Sequence, residues 1–195
     1  MKLLNIRITG TRPTADERDT ARRVVQGDAA AMKALYDQSA GKLTATCARY
    51  VTDEDDLHDV LQEAYIKIFT RMDRFEYRGK GSLEAWMKRI AINEALKFLR
   101  GKDLLVPLDD EADKWLPCDE PPAVEDVPLD VLQDMIRRLP SGQRTVFNLY
   151  VFEGKSHKEI AALLQIGESS SASQFSRAKS QLAQWIQNYR TRNIS

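Results

Sequence analysis

The stretch "SHKEIAALLQIGESSSASQFSRAKSQL", residues 156–182, decides how the end of this 195-residue chain folds. Its last sixteen residues hold six serines and a glycine, which suits either a flexible linker or a helix with a small polar face. Phe175, Ala178 and Leu182 nevertheless recur at helical spacing, and a linker has no reason to keep that period. The sequence therefore predicts a helix through the serines.

A shorter helix is predicted just before it. Ser156 and Glu159 have the spacing of a capping box, and the residues 165–167 form a tight turn. Two helices joined by such a turn follow the helix-turn-helix plan, in which the second helix enters the DNA major groove. From the pattern alone, DNA binding and an ordinary helical hairpin both stay open. With Phe175 and Leu182 inward, the predicted outward face carries Ser170, Ser173, Gln174, Arg177 and Gln181.

Further upstream, "TDEDDLHDVLQEAYIKIFTRM" predicts a helix that opens with a capping box of Thr52 and Asp55. Its apolar face is assigned to the core. The opposite face consists of Asp59, Gln62, Glu63, Ile66 and Thr70. An isoleucine within a polar stripe fits either a partner surface or a solvated helix face.

The next segment, residues 74–100, combines a loop and a helix. Phe75 and Tyr77 alternate with the cations Arg74, Arg78 and Lys80. This alternation suits single-stranded nucleic acid, whose bases stack and whose phosphates need positive charge, but it equally fits a basic turn anchored by two rings. The helix, with Ser82 as predicted N-cap, carries a polar stripe suited to a phosphate backbone and a base edge: Arg89, Asn93, Lys97 and Arg100.

Zero formal net charge hides an uneven distribution. Residues 1–102 carry 19 basic and 15 acidic side chains and residues 135–195 carry 9 and 3, whereas residues 103–134 carry 1 and 11. The acidic strip also contains "VPLDDEADKWLPCDEPPAVEDVP", which holds five of the seven prolines and no sustained period. Two basic ends separated by an acidic extended linker indicate contact with a polyanion.

The predicted fold class is all-α, with two small helical domains joined by this linker. Two further helices are drawn near the N-terminus, at about 15–26 and 28–51, and two before the opening stretch, at 129–139 and 141–154. The second of these is predicted to begin at a Ser141 cap. Residues assigned to the first core include Met32, Leu35, Tyr36, Leu43, Cys47 and Tyr50.

Composition and motifs argue against several other classes. No apolar run approaches the roughly 20 residues of a membrane span, and the start lacks a signal peptide's long apolar core, so a cytoplasmic protein is expected. Cys47 and Cys118 stand apart, which favours reduced thiols over a disulfide or metal site. No P-loop, HExxH or nucleophile elbow appears. The prediction is a protein that is not an enzyme and needs neither cofactor nor metal.

From about residue 24 to 189, the chain resembles the extracytoplasmic-function (ECF) group of bacterial sigma factors, the specificity subunits of RNA polymerase. "DVLQEAYIKIF" looks like the family's region 2.2. "DRFEYRGKGSLEAWMKRIAINEALKFLR" looks like regions 2.3 and 2.4. "LPSGQRTVFNLYVFEGKSHKEIAALLQIGESSSASQFSRAKSQL" looks like region 4. The resemblance divides the chain into an N-terminal tail (1–20), a sigma2-like domain (21–102), the linker (103–127) and a sigma4-like domain (128–195).

The resemblance also implies partners and roles. Core RNA polymerase would receive the first domain on its β′ clamp helices, through Asp59, Gln62, Glu63 and Ile66, and would meet the chain again at its β flap. The minus-ten element, melted with a base flipped out, would meet Phe75, Tyr77, Arg78, Lys80, Arg89, Asn93, Lys97 and Arg100. The minus-thirty-five element would meet Ser170, Ala172, Ser173, Gln174, Ser176, Arg177 and Lys179. The linker would thread the active-site and RNA-exit channels, and an anti-sigma factor is a common family partner.

Departures from the family pattern and two alternatives complete the prediction. Ala172 and Gln174 occupy positions where many members carry basic residues, and Ser171 occupies one where many carry a branched aliphatic residue. With fewer cations, a shallower salt dependence of minus-thirty-five binding is expected. A stand-alone helix-turn-helix regulator is one alternative, although it would not need the Ile66 stripe or the Tyr77 loop. A metal-dependent nuclease is another, and the acidic run from Asp53 to Asp56 is better explained as a helix N-terminus.

Overall fold

The computed structural model describes residues 16–102, 124 and 126–193, and every regular element within them is helical. The predicted all-α fold is therefore confirmed. The helices are α1 (Glu17–Val25), α2 (Ala29–Cys47), α3 (Glu54–Thr70), a 3-10 turn (Met72–Arg74), α4 (Ser82–Gly101), α5 (Leu129–Arg138), α6 (Ser141–Val151), α7 (His157–Leu164) and α8 (Glu168–Asn193). Most of the predicted linker lies outside the described residues, as do residues 1–15.

Helices α1 to α4 pack into a bundle around a continuous apolar core. Cys47, Tyr50, Ile68, Met87 and Leu96 are almost completely buried there. The prediction that Tyr36 belongs to this core is wrong, because 48% of the residue is exposed. Its ring instead covers that of Tyr65 from outside, at a centroid distance of 4.7 Å.

Local hydrogen bonds define the helix starts, and three predicted caps need correction. Asp53, one residue after the predicted Thr52, caps α3 by accepting a hydrogen bond from the Asp56 amide. Asp53 stands directly before the helix, so its carboxylate reaches that amide, whereas Thr52 lies one residue further away. Helix α4 follows Gly81 and α6 follows Pro140, so Ser82 and Ser141 are the first residues of their helices instead of N-caps.

The second domain consists of α5 to α8. The capping box of Ser156 and Glu159 at the start of α7 is confirmed, with both reciprocal hydrogen bonds present. Gln165 follows with a φ of +58°, the left-handed conformation that reverses the chain before α8. Beneath these helices, α5 and the middle of α8 enclose a second apolar cluster that includes Met135, Leu139, Ala178, Leu182 and Ile186.

The two domains lie against each other. Val146 and Leu149 of α6 join the core of the first domain, and so do apolar residues of α7. Asn148 donates a hydrogen bond to the Arg49 carbonyl over 2.7 Å, and Arg144 donates one to the Tyr50 carbonyl over 3.1 Å. Because α2 ends at Cys47, these buried donors satisfy carbonyls that follow the helix end and hold the second domain there.

Candidate nucleic-acid interface

A polar stripe runs along the outer face of α3. Val60, Ala64 and Ile68 of the same helix are buried, so the helical period turns the opposite side chains outward. The predicted stripe residues Asp59, Gln62, Glu63 and Ile66 are all exposed. Ile66 is 48% exposed and borders a groove of about 590 Å³ between α2 and α3. An apolar residue among polar ones beside a groove suits a protein partner.

The two rings of the basic loop have different environments. Phe75 is half-buried against Trp86, with ring centroids 5.7 Å apart, and anchors the loop to α4. Tyr77 is also half-buried, and the guanidinium of Arg18 lies over its ring, 4.4 Å from the ring centroid. Lys80 is exposed, and so is Arg78, which pairs with Glu76 over 2.9 Å. The loop therefore combines one anchoring ring with a second ring among surface cations.

Arg89 and Asn93, the first two residues of the polar stripe of α4, line a cleft between the domains. Arg89, Asn93 and Lys97 are exposed, as the helical spacing predicts. Arg100 is only half-exposed, because its Nη1 donates a hydrogen bond to the Leu163 carbonyl of α7. Acidic side chains of the second domain line the other side of the cleft, among them Glu153 and Glu159. Lys88, next to Arg89 on α4, forms an ion pair of 2.8 Å with Glu153 across this cleft.

The helix-turn-helix is built as the capping pattern predicts. Of the α8 residues predicted to meet DNA, Ala172, Ser173 and Ser176 are exposed, and Ser170, Arg177 and Lys179 are partly exposed. The Lys179 ammonium lies 5.5 Å from the ring centroid of Phe175. Small side chains on the exposed surface would allow the helix backbone to approach base edges closely.

The prediction that Gln174 points outward is wrong. Only 7% of Gln174 is exposed, and Ser171, one turn earlier, is completely buried. The Ser171 hydroxyl lies 3.0 Å from Nδ1 of His157, so the two helices of the motif are joined by a polar contact. A Cβ atom at Gly142 would lie 2.5 Å from Oε1 of Gln174, so the glycine provides the room for this side chain.

The contacts of Phe175 explain how α8 is rotated about its axis, with Gln174 turned toward the protein. Its ring stacks on Phe147 at 6.0 Å and contacts Tyr150 at 4.3 Å. The ring is therefore only half-buried at the edge of α6, and the centre of the buried face lies one residue earlier, at Gln174. No spacing rule reveals this, because a helical period fixes relative positions but leaves the absolute rotation to the partner helix.

Two residues of α1 were not predicted to belong to this region. Arg18 lies over Tyr77, and the Glu17 carboxylate accepts hydrogen bonds from the glycine loop before α4. These residues lie within the predicted N-terminal tail, more than 50 positions away in sequence. Only the packing of α1 beside the loop brings them together.

Two kinds of feature are absent from the described residues. In that part of the chain, no group of histidine, cysteine, aspartate and glutamate side chains is arranged to hold a metal ion. No helix that the structure describes is long and apolar enough to cross a bilayer.

Comparison with known proteins gives two family matches. The family model described as "Sigma-70 region 2" matches residues 35–104, and the one described as "Sigma-70, region 4" matches residues 129–182. The RNA polymerase sigma-H factor of Pseudomonas aeruginosa is 32% identical over 177 residues, covering 85% of this chain and 91% of the relative. The ECF RNA polymerase sigma-E factor of Haemophilus influenzae is 28% identical, with coverages of 85% and 92%.

Among solved structures, one of CnrH in complex with the cytosolic domain of CnrY covers 88% of this chain and 97% of that chain. The TM-score is 0.47 and the sequence identity 20%.

Proposed function

The chain belongs to the ECF group of the sigma-70 family, and we propose how its residues divide the work of a promoter-recognising initiation factor. The first domain, residues 21–102, binds core RNA polymerase and the minus-ten element. The second domain, residues 128–195, binds the minus-thirty-five element. Both partners, polymerase and promoter DNA, follow from the family. The cytoplasm is then the expected place of action.

The α3 stripe is the proposed docking surface for the β′ clamp helices of polymerase. Its support is the continuous exposure of Asp59, Gln62, Glu63 and Ile66 beside an apolar groove. A half-exposed isoleucine at the centre of a polar helix face favours a binding surface over a solvated face, although single exposed apolar residues are common. The position of the stripe within the segment that matches the sigma-70 region 2 model supports the assignment.

The loop at Tyr77 and the stripe at Asn93 are the proposed contacts to the minus-ten element. Tyr77 would stack on an unpaired base, and Asn93 would offer its amide to a base edge. The surrounding cations, Arg78, Lys80 and Arg89, are exposed and would neutralise phosphates. Phe75 contributes as the anchor of the loop and not as a stacking surface, since it packs on Trp86.

Helix α8 is the proposed reader of the minus-thirty-five element. The exposed Ala172, Ser173 and Ser176 would lie against the bases. The Arg177 guanidinium would donate two hydrogen bonds to a guanine. Gln174 leaves the proposed contact set because it is buried. The β flap and an anti-sigma factor remain predictions from the family.

The observation that carries the proposal is the presence, in one chain, of an exposed partner stripe, an aromatic basic loop and a helix-turn-helix. A stand-alone regulator would use only the last of these. Run-off transcription with core polymerase on genomic fragments tests the assignment. We expect transcripts from a small set of promoters, and the absence of any transcript dependent on this chain would contradict it.

The docking stripe has its own test. We expect the double variant Gln62→Ala, Glu63→Ala to bind core polymerase about tenfold more weakly, because it removes polar contacts at the interface. Affinity would be measured by pull-down and fluorescence titration. The control is Gln184→Ala, Gln187→Ala, which truncates exposed side chains of α8. Equal core binding by both double variants would refute the docking assignment.

A further inference from the structure

The loop before α4 has an unusual backbone that something must hold. Gly79 has a φ of +124° and Gly81 a φ of +90°, both in the region that favours glycine. Gly81 is also the residue before α4 and has no side chain to cap the first amides of the helix. A flexible loop of this kind loses much conformational entropy when it is fixed in one shape.

Glu17, the first residue of α1, supplies the missing cap from another helix. Its Oε1 accepts a hydrogen bond of 2.6 Å from the Gly81 amide, and its Oε2 accepts one of 3.0 Å from the Leu83 amide. The Ser82 hydroxyl lies 3.2 Å from Oε2 and also accepts a hydrogen bond from the Arg78 amide. The carboxylate therefore holds the helix end of the glycine turn directly, and the Ser82 hydroxyl links it to Arg78 at the other end.

The negative charge of Glu17 suits its role as a cap of α4. A negative charge at a helix N-terminus is favoured by the helix dipole and by the unsatisfied amides there. Partial burial alone would raise the pKa of Glu17, but hydrogen bonds from the Leu83 and Gly81 amides and from Ser82 outweigh it and lower the pKa. The residue is thus ionised at neutral pH, where its hydrogen bonds are strongest.

Arg18, the residue after Glu17, contacts the ring of Tyr77. The Arg18 guanidinium lies 4.4 Å from the centroid of the Tyr77 ring, within the range of a cation–π contact. The same contact places a positive charge beside a ring that is proposed to stack on a base. Adjacent residues at one helix start therefore hold the loop backbone and its aromatic side chain.

We infer that Glu17 and Arg18 are positioning residues, which preset the Tyr77 loop to receive an unpaired base of the promoter. The inference rests on the proposed role of Tyr77. A loop that is already ordered loses little conformational entropy when it binds an unpaired base. Glu17 and Arg18 should therefore favour promoter opening, the step in which the base becomes unpaired. The start of α1 is then part of the melting apparatus.

Glu17→Gln tests the backbone part of the inference. Glutamine keeps the shape but presents an N–H group where one carboxylate oxygen now accepts. Asp19→Asn is the matched control, because Asp19 lies on the same helix and pairs with Arg22 of that helix. Both proteins would be assembled with core polymerase on a promoter found by run-off transcription. Permanganate reactivity would report the open complex, and footprinting at low temperature would report the closed complex.

We expect Glu17→Gln to reduce the open-to-closed ratio about tenfold relative to Asp19→Asn, a magnitude typical of lost charged hydrogen bonds. A purely structural role would instead lower the thermal unfolding midpoint and weaken both complexes alike. That result, or equal ratios for the two variants, would overturn the inference.

Arg18→Ala tests the contact with the ring. We expect a reduction in opening of about threefold in the wild-type background and none in a Tyr77→Ala background. Arg22→Ala, which removes another exposed arginine of α1, serves as the charge-matched control. Equal effects of Arg18→Ala with and without Tyr77 would mean that the charge acts on DNA generally, and would overturn this part. If Tyr77→Ala itself leaves opening unchanged, the proposed role of the loop fails, and the inference fails with it.

Discussion

At the scale of single residues, the carboxylate of Glu159 holds the start of α7, the first helix of the helix-turn-helix. It accepts hydrogen bonds of 2.9 Å from both the amide and the hydroxyl of Ser156, while the Ser156 hydroxyl accepts from the Glu159 amide. The amide and then the hydroxyl of Ser156, followed by Lys155, lower the pKa of Glu159 from 4.5 to about 2. The charged carboxylate is thus part of the folded motif.

This pKa predicts how stability depends on acidity. A carboxyl whose folded pKa is lowered stabilises the protein above its unfolded pKa, and the contribution disappears as the pH falls toward the folded value. We expect wild type to be more stable than Glu159→Gln at pH 6. The difference should shrink between about pH 4.5 and about pH 2. Thermal unfolding followed by circular dichroism would measure it, and a difference independent of pH would contradict the prediction.

Cys47 offers a second residue-scale test. Its thiol is completely buried and lies 3.7 Å from the Ala91 carbonyl. Burial raises the pKa of the thiol to about 12, and the nearby Arg49 only partly opposes this. The thiolate that attacks disulfide reagents is therefore scarce in the folded protein.

We expect Cys47 to react with such a reagent at pH 8 only as fast as the first domain opens. The Cys118→Ser variant would be used, so that Cys47 is the only thiol in the chain. Addition of denaturant should accelerate the reaction by orders of magnitude, because unfolding restores an ordinary thiol pKa. Rapid labelling of the native protein would show that the core around α2 is open.

At the scale of elements, the rotation of α8 determines what the helix can read. Burial of Ser171 and Gln174 turns the smallest side chains, Ala172 and Ser173, to the surface. In the proposed recognition of the minus-thirty-five element, direct base contact then depends on Arg177, at the edge of this face. Few cations at the surface also mean that few counterions are released on binding, so a shallow salt dependence is expected.

Arg177→Ala tests this account of α8. We expect the variant to lose roughly 1–3 kcal/mol of discrimination between minus-thirty-five sequences that differ at one guanine. Arg192→Ala is the control, since it removes the same charge about 22 Å further along the helix. Holoenzyme binding to promoter variants would be measured at several salt concentrations. Retained discrimination by Arg177→Ala, or equal losses in both variants, would contradict the assignment.

At the scale of the whole molecule, the two domains pack against each other in a closed arrangement of the described residues. The proposed binding elements lie about 25 base pairs apart, or about 85 Å at 3.4 Å per base pair. A compact chain of this length has a radius of gyration of only about 16 Å. The α6 contacts to the end of α2 must therefore break before both domains can occupy one promoter. Any partner that strengthens these contacts would oppose initiation.

An ion pair across the cleft adds to these contacts between the domains. Glu153 lies 2.8 Å from the Lys88 ammonium and 3.9 Å from the Arg49 guanidinium. We expect Glu153→Lys to separate the domains, because three positive charges would then meet. X-ray scattering should detect an increase of several ångströms in the radius of gyration over about 16 Å. The exchange variant Lys88→Glu, Glu153→Lys should restore part of the compactness, and an unchanged radius in Glu153→Lys would contradict the prediction.

The features that the sequence by itself determined are those carried by local spacing. The capping box at Ser156, the turn at Gln165 and the exposed stripe around Ile66 follow from neighbouring residues, since capping bonds and helical periods span only a few positions. Small errors, such as Thr52 for Asp53, arise because adjacent polar residues compete for one cap. The order of the motifs along the chain was enough to identify the family resemblance.

Only the tertiary structure decided the remaining features. The bond between Glu17 and Gly81, the burial of Gln174 and the contact of Asn148 with the end of α2 join residues distant in sequence. Each depends on the angle and rotation at which one helix packs on another. That geometry comes from the summed fit of many apolar side chains, which leaves no signature at any single position.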